Sequence, residues 1–205
     1  MAGPSLATDA LVLLKRPPTD SFQAFTAFSA DQGALLILHR IPKKNTGNAL
    51  VLDLFDEVSL MLESANQGQT WFVKEARLLS RQPGLGRSYE TLQAASALAQ
   101  LAARNPVPED GRAPVYLLLS EAFSALALAT RPDIVYLKSL YRFARDEGYP
   151  IKEHWFPALP AADREAVVTL LNLPVTGQTA EPALVAKLRQ RLEDYLRGHT
   201  EILLD

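Results

Sequence analysis

The feature that most constrains this chain is a single change in its apolar period near Pro83. Before it, apolar and polar side chains tend to alternate. After it, apolar side chains recur every third or fourth position. A period of two marks a strand with one face in a core, and a period near 3.6 marks an amphipathic helix. A chain that switches once and does not return divides into a strand-built part, residues 1–81, and a helix-built part, residues 82–205. The expected class is α+β, with strands and helices segregated along the sequence.

Five strands are expected in the first part. Residues 10–14 are an apolar run closed by Pro17-Pro18, which cannot continue a ladder. Over 22–29, an extended chain carries Phe22, Ala24, Thr26 and Phe28 on one face, although the spacing of Phe22, Phe25 and Phe28 also fits a helix. Asp31-Gln32-Gly33 is a turn signal, because glycine accepts positive φ, and 34–40 returns as the second arm of a hairpin. Residues 50–63 read as extended, with Val58, Leu60 and Leu62 alternating with Ser59, Met61 and Glu63. Asn66-Gln67-Gly68 turns the chain into a last strand over 71–79. Five short strands with turns between them suggest a small closed barrel.

The second part reads as a helical bundle. Helices are expected over 89–103, 114–129, from Pro132 to Gly148, over 161–171 and over 182–197. The third carries a stripe of Ile134, Leu137, Leu140, Tyr141 and Ala144. The last turns Val185, Leu188, Leu192, Tyr195 and Leu196 to the core.

Little in the chain points to catalysis. It has no cysteine, which removes disulfides, thiolate metal ligands and cysteine nucleophiles. No glycine-rich phosphate loop and no nucleophile elbow occurs. His39, His154 and His199 lie far apart in sequence, and none has a helical partner at metal-binding spacing. Asp53, Asp56 and Glu57 cluster, and read as the solvated rim of a strand. No enzyme, no metal and no cofactor is expected. The amino terminus lacks a basic segment followed by an apolar one, and the longest apolar runs are too short for a bilayer. A cytoplasmic protein without a membrane partner is expected.

Cations gather in two places. Lys15 and Arg16 end the first strand, Arg40, Lys43 and Lys44 follow the third, and Lys74, Arg77 and Arg81 lie on the fifth. On one rim and the adjoining strand face, such side chains neutralise phosphates, and Trp71 or Phe72 supplies a ring for base stacking. Strand alternation turns one of those two rings inward. Opposing this, residues 1–81 hold eight Lys and Arg and eight Asp and Glu. In the helical part, Lys138, Arg142 and Arg145 fall at i, i+4 and i+7. They form a basic stripe beside the apolar face, suited to an acidic, partly hydrophobic peptide, or to covering the core edge with their stems.

Several stretches resemble RecO, the bacterial recombination mediator and DNA-repair family, along nearly the whole chain from about Thr8. They are Phe28-Ser29-Ala30-Asp31-Gln32-Gly33 in the first hairpin, Phe55 to Leu79, Gly148-Tyr149-Pro150 at a helix end, and Leu192-Glu193-Asp194-Tyr195-Leu196 with His199 in the last helix. The resemblance implies an OB-fold over 1–81 and a helical RecO-type domain over 82–205. It implies a non-catalytic mediator that binds single- and double-stranded DNA and anneals strands. With RecR, and in many bacteria RecF, such a mediator loads RecA onto DNA coated by single-stranded DNA-binding protein. Lys15, Arg16, Arg40, Lys43, Lys44, Lys74 and Arg77 are then the expected DNA contacts. Lys138, Arg142 and Arg145 are the expected dock for that protein's acidic tail. Many members bind zinc through four cysteines. The corresponding stretch here is Lys152-Glu153-His154-Trp155, so a zinc-free, diverged member is expected. A protein–protein adaptor with little DNA affinity is the alternative.

Overall fold

A computed structural model describes residues 3–41, 50–64 and 66–204. It is mixed α+β. Five strands come first: β1 (Ser5–Lys15), β2 (Phe22–Ser29), β3 (Gly33–Arg40), β4 (Glu57–Glu63) and β5 (Trp71–Ser80). They form one sheet in the order β1-β2-β3-β5-β4, and β4 pairs back onto β1, so the sheet closes into a ring. All pairings are antiparallel except β3 with β5, where Ile37 and Leu38 lie beside Trp71 and Phe72.

The ring closes because alternate side chains share one core. Ala10, Val12, Phe25, Ala27, Ile37, Val58, Leu60, Leu62 and Trp71 are buried together inside it. The 22–29 segment is a strand, so the three-residue spacing of its phenylalanines splits them across the sheet. Phe25 enters the core cluster, while Phe22 and Phe28 point the other way. Gly33, at φ 70°, closes the β2–β3 hairpin in a conformation that side chains with a Cβ rarely adopt.

The stretch expected as one strand over 50–63 differs. Only Glu57–Glu63 is strand. Before it the chain turns sharply at Phe55, whose φ is 66°. The Phe55 N–H donates to the Val12 carbonyl at 2.7 Å, and the Val12 N–H donates to the Asp56 carbonyl at 2.9 Å. Val12 borders a bulge in β1, between Val12 and Leu14, where the regular ladder is interrupted.

Six α-helices follow among the described residues: α1 (Tyr89–Arg104), α2 (Glu109–Leu128), α3 (Pro132–Asp146), the single turn α4 (Phe156–Ala158), α5 (Ala161–Asn172) and α6 (Pro182–His199). α2 begins five residues before the expected start and holds Pro114 inside it. Gly148, at φ 83°, follows the end of α3. A π-helical turn, Ile151–Trp155, leads into α4. The expected stripe of α3 is buried, and it packs with Val185, Leu188, Leu192 and Leu196 of α6. Tyr195 is not fully in that core: it is half-buried and stacks on His199, with ring centroids 4.7 Å apart.

The chain forms two compact units. One comprises residues 1–82 with 102–120, and the other residues 83–101 with 121–205. Within the first, Tyr116 of α2 donates to Glu57 at 2.7 Å, and Arg112 donates to the Asp31 carbonyl at 3.0 Å. Among the described residues, no helix is long and apolar enough to cross a membrane.

Candidate nucleic-acid interface

The outer face of β2, β3 and β5 follows from which residues face inward. Phe25 and Ala27 of β2, Leu35 and Ile37 of β3, and Trp71 of β5 are core. Their neighbours Phe22, Leu38, Arg40 and Phe72 therefore point outward. Trp71 is only 9% exposed, so the inward ring of the Trp71–Phe72 pair is the tryptophan.

Two aromatic rings meet on this face. Phe22 and Phe72 lie edge to face, with centroids 5.6 Å apart and planes at 68°. Such a pair adds about 1 kcal/mol beyond the area it buries. Both rings remain half-buried, not sealed. Phe22 sits opposite Arg40 in the β2–β3 register. Arg40 and Lys74 each lie two residues beyond the paired Leu38 and Phe72 of parallel β3 and β5, which carries both cations past Phe72 toward the same end of the sheet, with Arg40 level with Phe22.

The β1–β2 loop borders the same end. The Arg16 N–H donates to the Ala24 carbonyl at 3.0 Å, and Gln23 Nε2 donates to the Arg16 carbonyl. Thr19 closes the loop on Phe22: its hydroxyl donates to the Phe22 carbonyl at 2.9 Å and accepts the Phe22 N–H at 3.1 Å. The Phe22 backbone is thus held at both of its polar groups, while its ring stays on the surface.

The expected DNA contacts do not all converge. Arg16 and Arg40 are exposed, and no carboxylate among the described residues pairs with either. Lys74 is exposed beside Phe72 but bonds Glu63 at 2.6 Å. Arg77 is on the outer face, opposite Ser59 of β4 and farther along β5. Lys15 is turned away: past the β1 bulge it pairs with inward-facing Phe25, and its ammonium meets Asp53 at 3.4 Å. Lys43 and Lys44 lie outside the described residues. Asp20 is the exposed acid in the β1–β2 loop.

The acidic cluster is a solvated rim only in part: Asp53 is exposed and Glu57 half-buried, but Asp56 is not. Asp56 is 1% exposed. It accepts the Asp53 N–H at 2.8 Å and both Nε and Nη2 of Arg81 at 2.7 and 2.5 Å. This hydrogen bonding raises the Arg81 pKa above its ordinary value. Arg81, expected in the basic patch, is therefore engaged in holding Asp56 and the 50–56 segment, whose Val51 carbonyl it also bonds at 2.9 Å. His39, half-buried on β3, has its pKa lowered by burial.

In the helical unit, the stripe on α3 is real but engaged. Lys138 Nζ donates to the Leu173 carbonyl at 2.7 Å, and burial lowers its pKa. Arg142 bridges Glu121 at 2.5 Å and Asp146 at 3.4 Å. Arg145 pairs with Asp146 at 2.7 Å. Among the described residues, no group of three His, Asp or Glu side chains is placed to hold a metal ion.

Sequence reasoning missed Phe22. The available signal was strand parity: once Phe25 is assigned to the core, Phe22 must face outward.

These features define a class and no more: an α+β chain whose closed sheet carries an aromatic pair flanked by arginine. The chain matches no family model and no curated protein.

Proposed function

We propose that this chain is a nucleic-acid-binding mediator of the RecO type, and that it holds a DNA strand across the outer face of β2, β3 and β5. The observation that carries the reading is the Phe22–Phe72 pair with Arg40 opposite Phe22 in register. Exposed aromatic faces beside cations that track a backbone are the common means of holding single strands. The strand order β1-β2-β3-β5-β4 supports reading the ring as an OB-fold, a five-stranded barrel that uses the face of strands 2 and 3 and the loops between strands 1–2 and 4–5. Arg16 lies in the first of those loops.

The resemblance to RecO extends the proposal. The protein acts without catalysis in the cytoplasm, at the nucleoid, on single- and double-stranded DNA. It anneals strands and, with RecR and in some settings RecF, assists RecA to load onto DNA covered by single-stranded DNA-binding protein. Lys138, Arg142 and Arg145 are the proposed dock for that protein's acidic tail.

A second reading, a protein–protein adaptor with little DNA affinity, is favoured by one specific feature. Lys15 and Lys74 are already neutralised by Asp53 and Glu63.

Fluorescence anisotropy of a labelled oligonucleotide separates the two. With Arg16, Arg40 and Lys74 as the phosphate contacts, log affinity for a single strand falls with log salt with a slope of about −2. Reversing Arg40 to glutamate weakens binding and makes the slope shallower. No binding at micromolar protein and low salt, alone or with RecR, contradicts the mediator reading.

A further inference from the structure

We infer that the Phe22–Phe72 pair is the element that discriminates unpaired from paired nucleic acid, by accepting an unstacked base. The inference rests on the reading of this face as a nucleic-acid interface and goes beyond it, because it assigns the two contributions to different residues.

The geometry supplies the division. The rings are edge to face at 68°, so the edge of one covers the face of the other. The half-buried pair offers no continuous platform for a row of bases, so the inferred occupant is a single nucleobase. Thr19 fixes the Phe22 backbone through both its N–H and its carbonyl, and Phe72 is held between β3 and β4, opposite Leu38 and Glu63. The pair is pre-ordered, so stacking does not first have to freeze a mobile loop.

Charge completes the assignment. Arg16 and Arg40 are exposed without a carboxylate partner among the described residues, and Lys74 shares its charge with Glu63. Cations attract phosphates of single and double strands alike, and that attraction weakens as salt rises. Stacking is available only to a base that has left its partner, and its contribution depends little on salt. The single-strand preference therefore belongs to the rings and the salt sensitivity to the cations. The occupant is a single strand of any sequence, since every base has a π-face.

The test measures affinity of the full-length protein for a single-stranded oligonucleotide and for the blunt duplex of the same sequence, at two salt concentrations. The unaltered chain is compared with Phe72→Leu, Phe22→Leu and Phe72→Tyr. Leucine keeps an apolar side chain on the face while removing the π-surface, and tyrosine restores that surface. The expected result is a preference for the single strand that persists as salt rises. In each leucine variant the single-strand affinity falls about tenfold, duplex affinity is unchanged, and Phe72→Tyr retains the preference. Unchanged duplex binding in the leucine variants also reports that they are folded. Equal loss of both affinities in the leucine variants, or no loss of either, overturns the inference and leaves DNA binding by this face standing. Failure of the unaltered protein to bind either form overturns both.

Discussion

Arg81 grips Asp56 with two parallel hydrogen bonds, although the residues are 25 positions apart and Asp56 is almost wholly buried. Asp56 precedes β4, and Arg81 follows β5. The pair ties together the two chain ends where those strands begin and finish. Removing one partner of a buried pair leaves the other charge without compensation, which costs about 3–5 kcal/mol. Arg81 is partly exposed, so water tempers that figure. Arg81→Leu is expected to destabilise the strand-built unit by about 3 kcal/mol, read as a lower urea midpoint. A change below about 0.5 kcal/mol would mean that Asp56 is satisfied without it.

Tyr116 and Glu57 make the stability of the same unit pH-dependent. Burial, and then the hydrogen bond to Glu57, push the Tyr116 hydroxyl well above its ordinary pKa. The folded state therefore keeps a proton that the unfolded state loses above about pH 10. Stability from this group is fully present below that pH and declines as pH rises beyond it. Tyr116→Phe should cost about 1.5 kcal/mol at neutral pH. The gap between the variant and the unaltered chain should narrow in urea titrations above about pH 10. A constant gap across that range would contradict this.

Arg142 is held by Glu121 and Asp146, so an acidic peptide docking on α3 must compete with carboxylates of the chain itself. Exposed pairs of this kind contribute up to about 1 kcal/mol. Glu121→Gln is expected to leave stability nearly unchanged and to strengthen binding of a labelled acidic, hydrophobic peptide about fivefold. Arg142→Glu should abolish that binding. If both variants bind like the unaltered chain, the dock lies elsewhere.

Much of the fold could be read from residue patterns because those patterns are local. The change of period at Pro83, the Gly33 turn, the alternation of Val58, Leu60 and Leu62, and the stripe of α3 each lie within one element, and each is present. The features that could not be read depend on partners distant in sequence. Nothing near Asp56 announces Arg81, and nothing near Arg142 announces Glu121. Lys15 changes side because of a bulge at Val12, which ordinary alternation does not anticipate. Phe22 was ambiguous for a different reason: the spacing of Phe22, Phe25 and Phe28 fits a helix as well as a strand, and only pairing with β3 resolves it. The candidate site was thus legible as a set of cations with Phe72 as one of two candidate rings, and its second ring, Phe22, emerged from the fold.

The most direct measurement is ultraviolet cross-linking of the protein to a single strand carrying a halogenated pyrimidine, with the attachment sites mapped by mass spectrometry. Attachment at Phe22 or Phe72 is expected, with loss of the product when Arg40 is reversed to glutamate. Attachment confined to residues 121–205, with none on β2 or β5, would contradict the placement of the strand on this face.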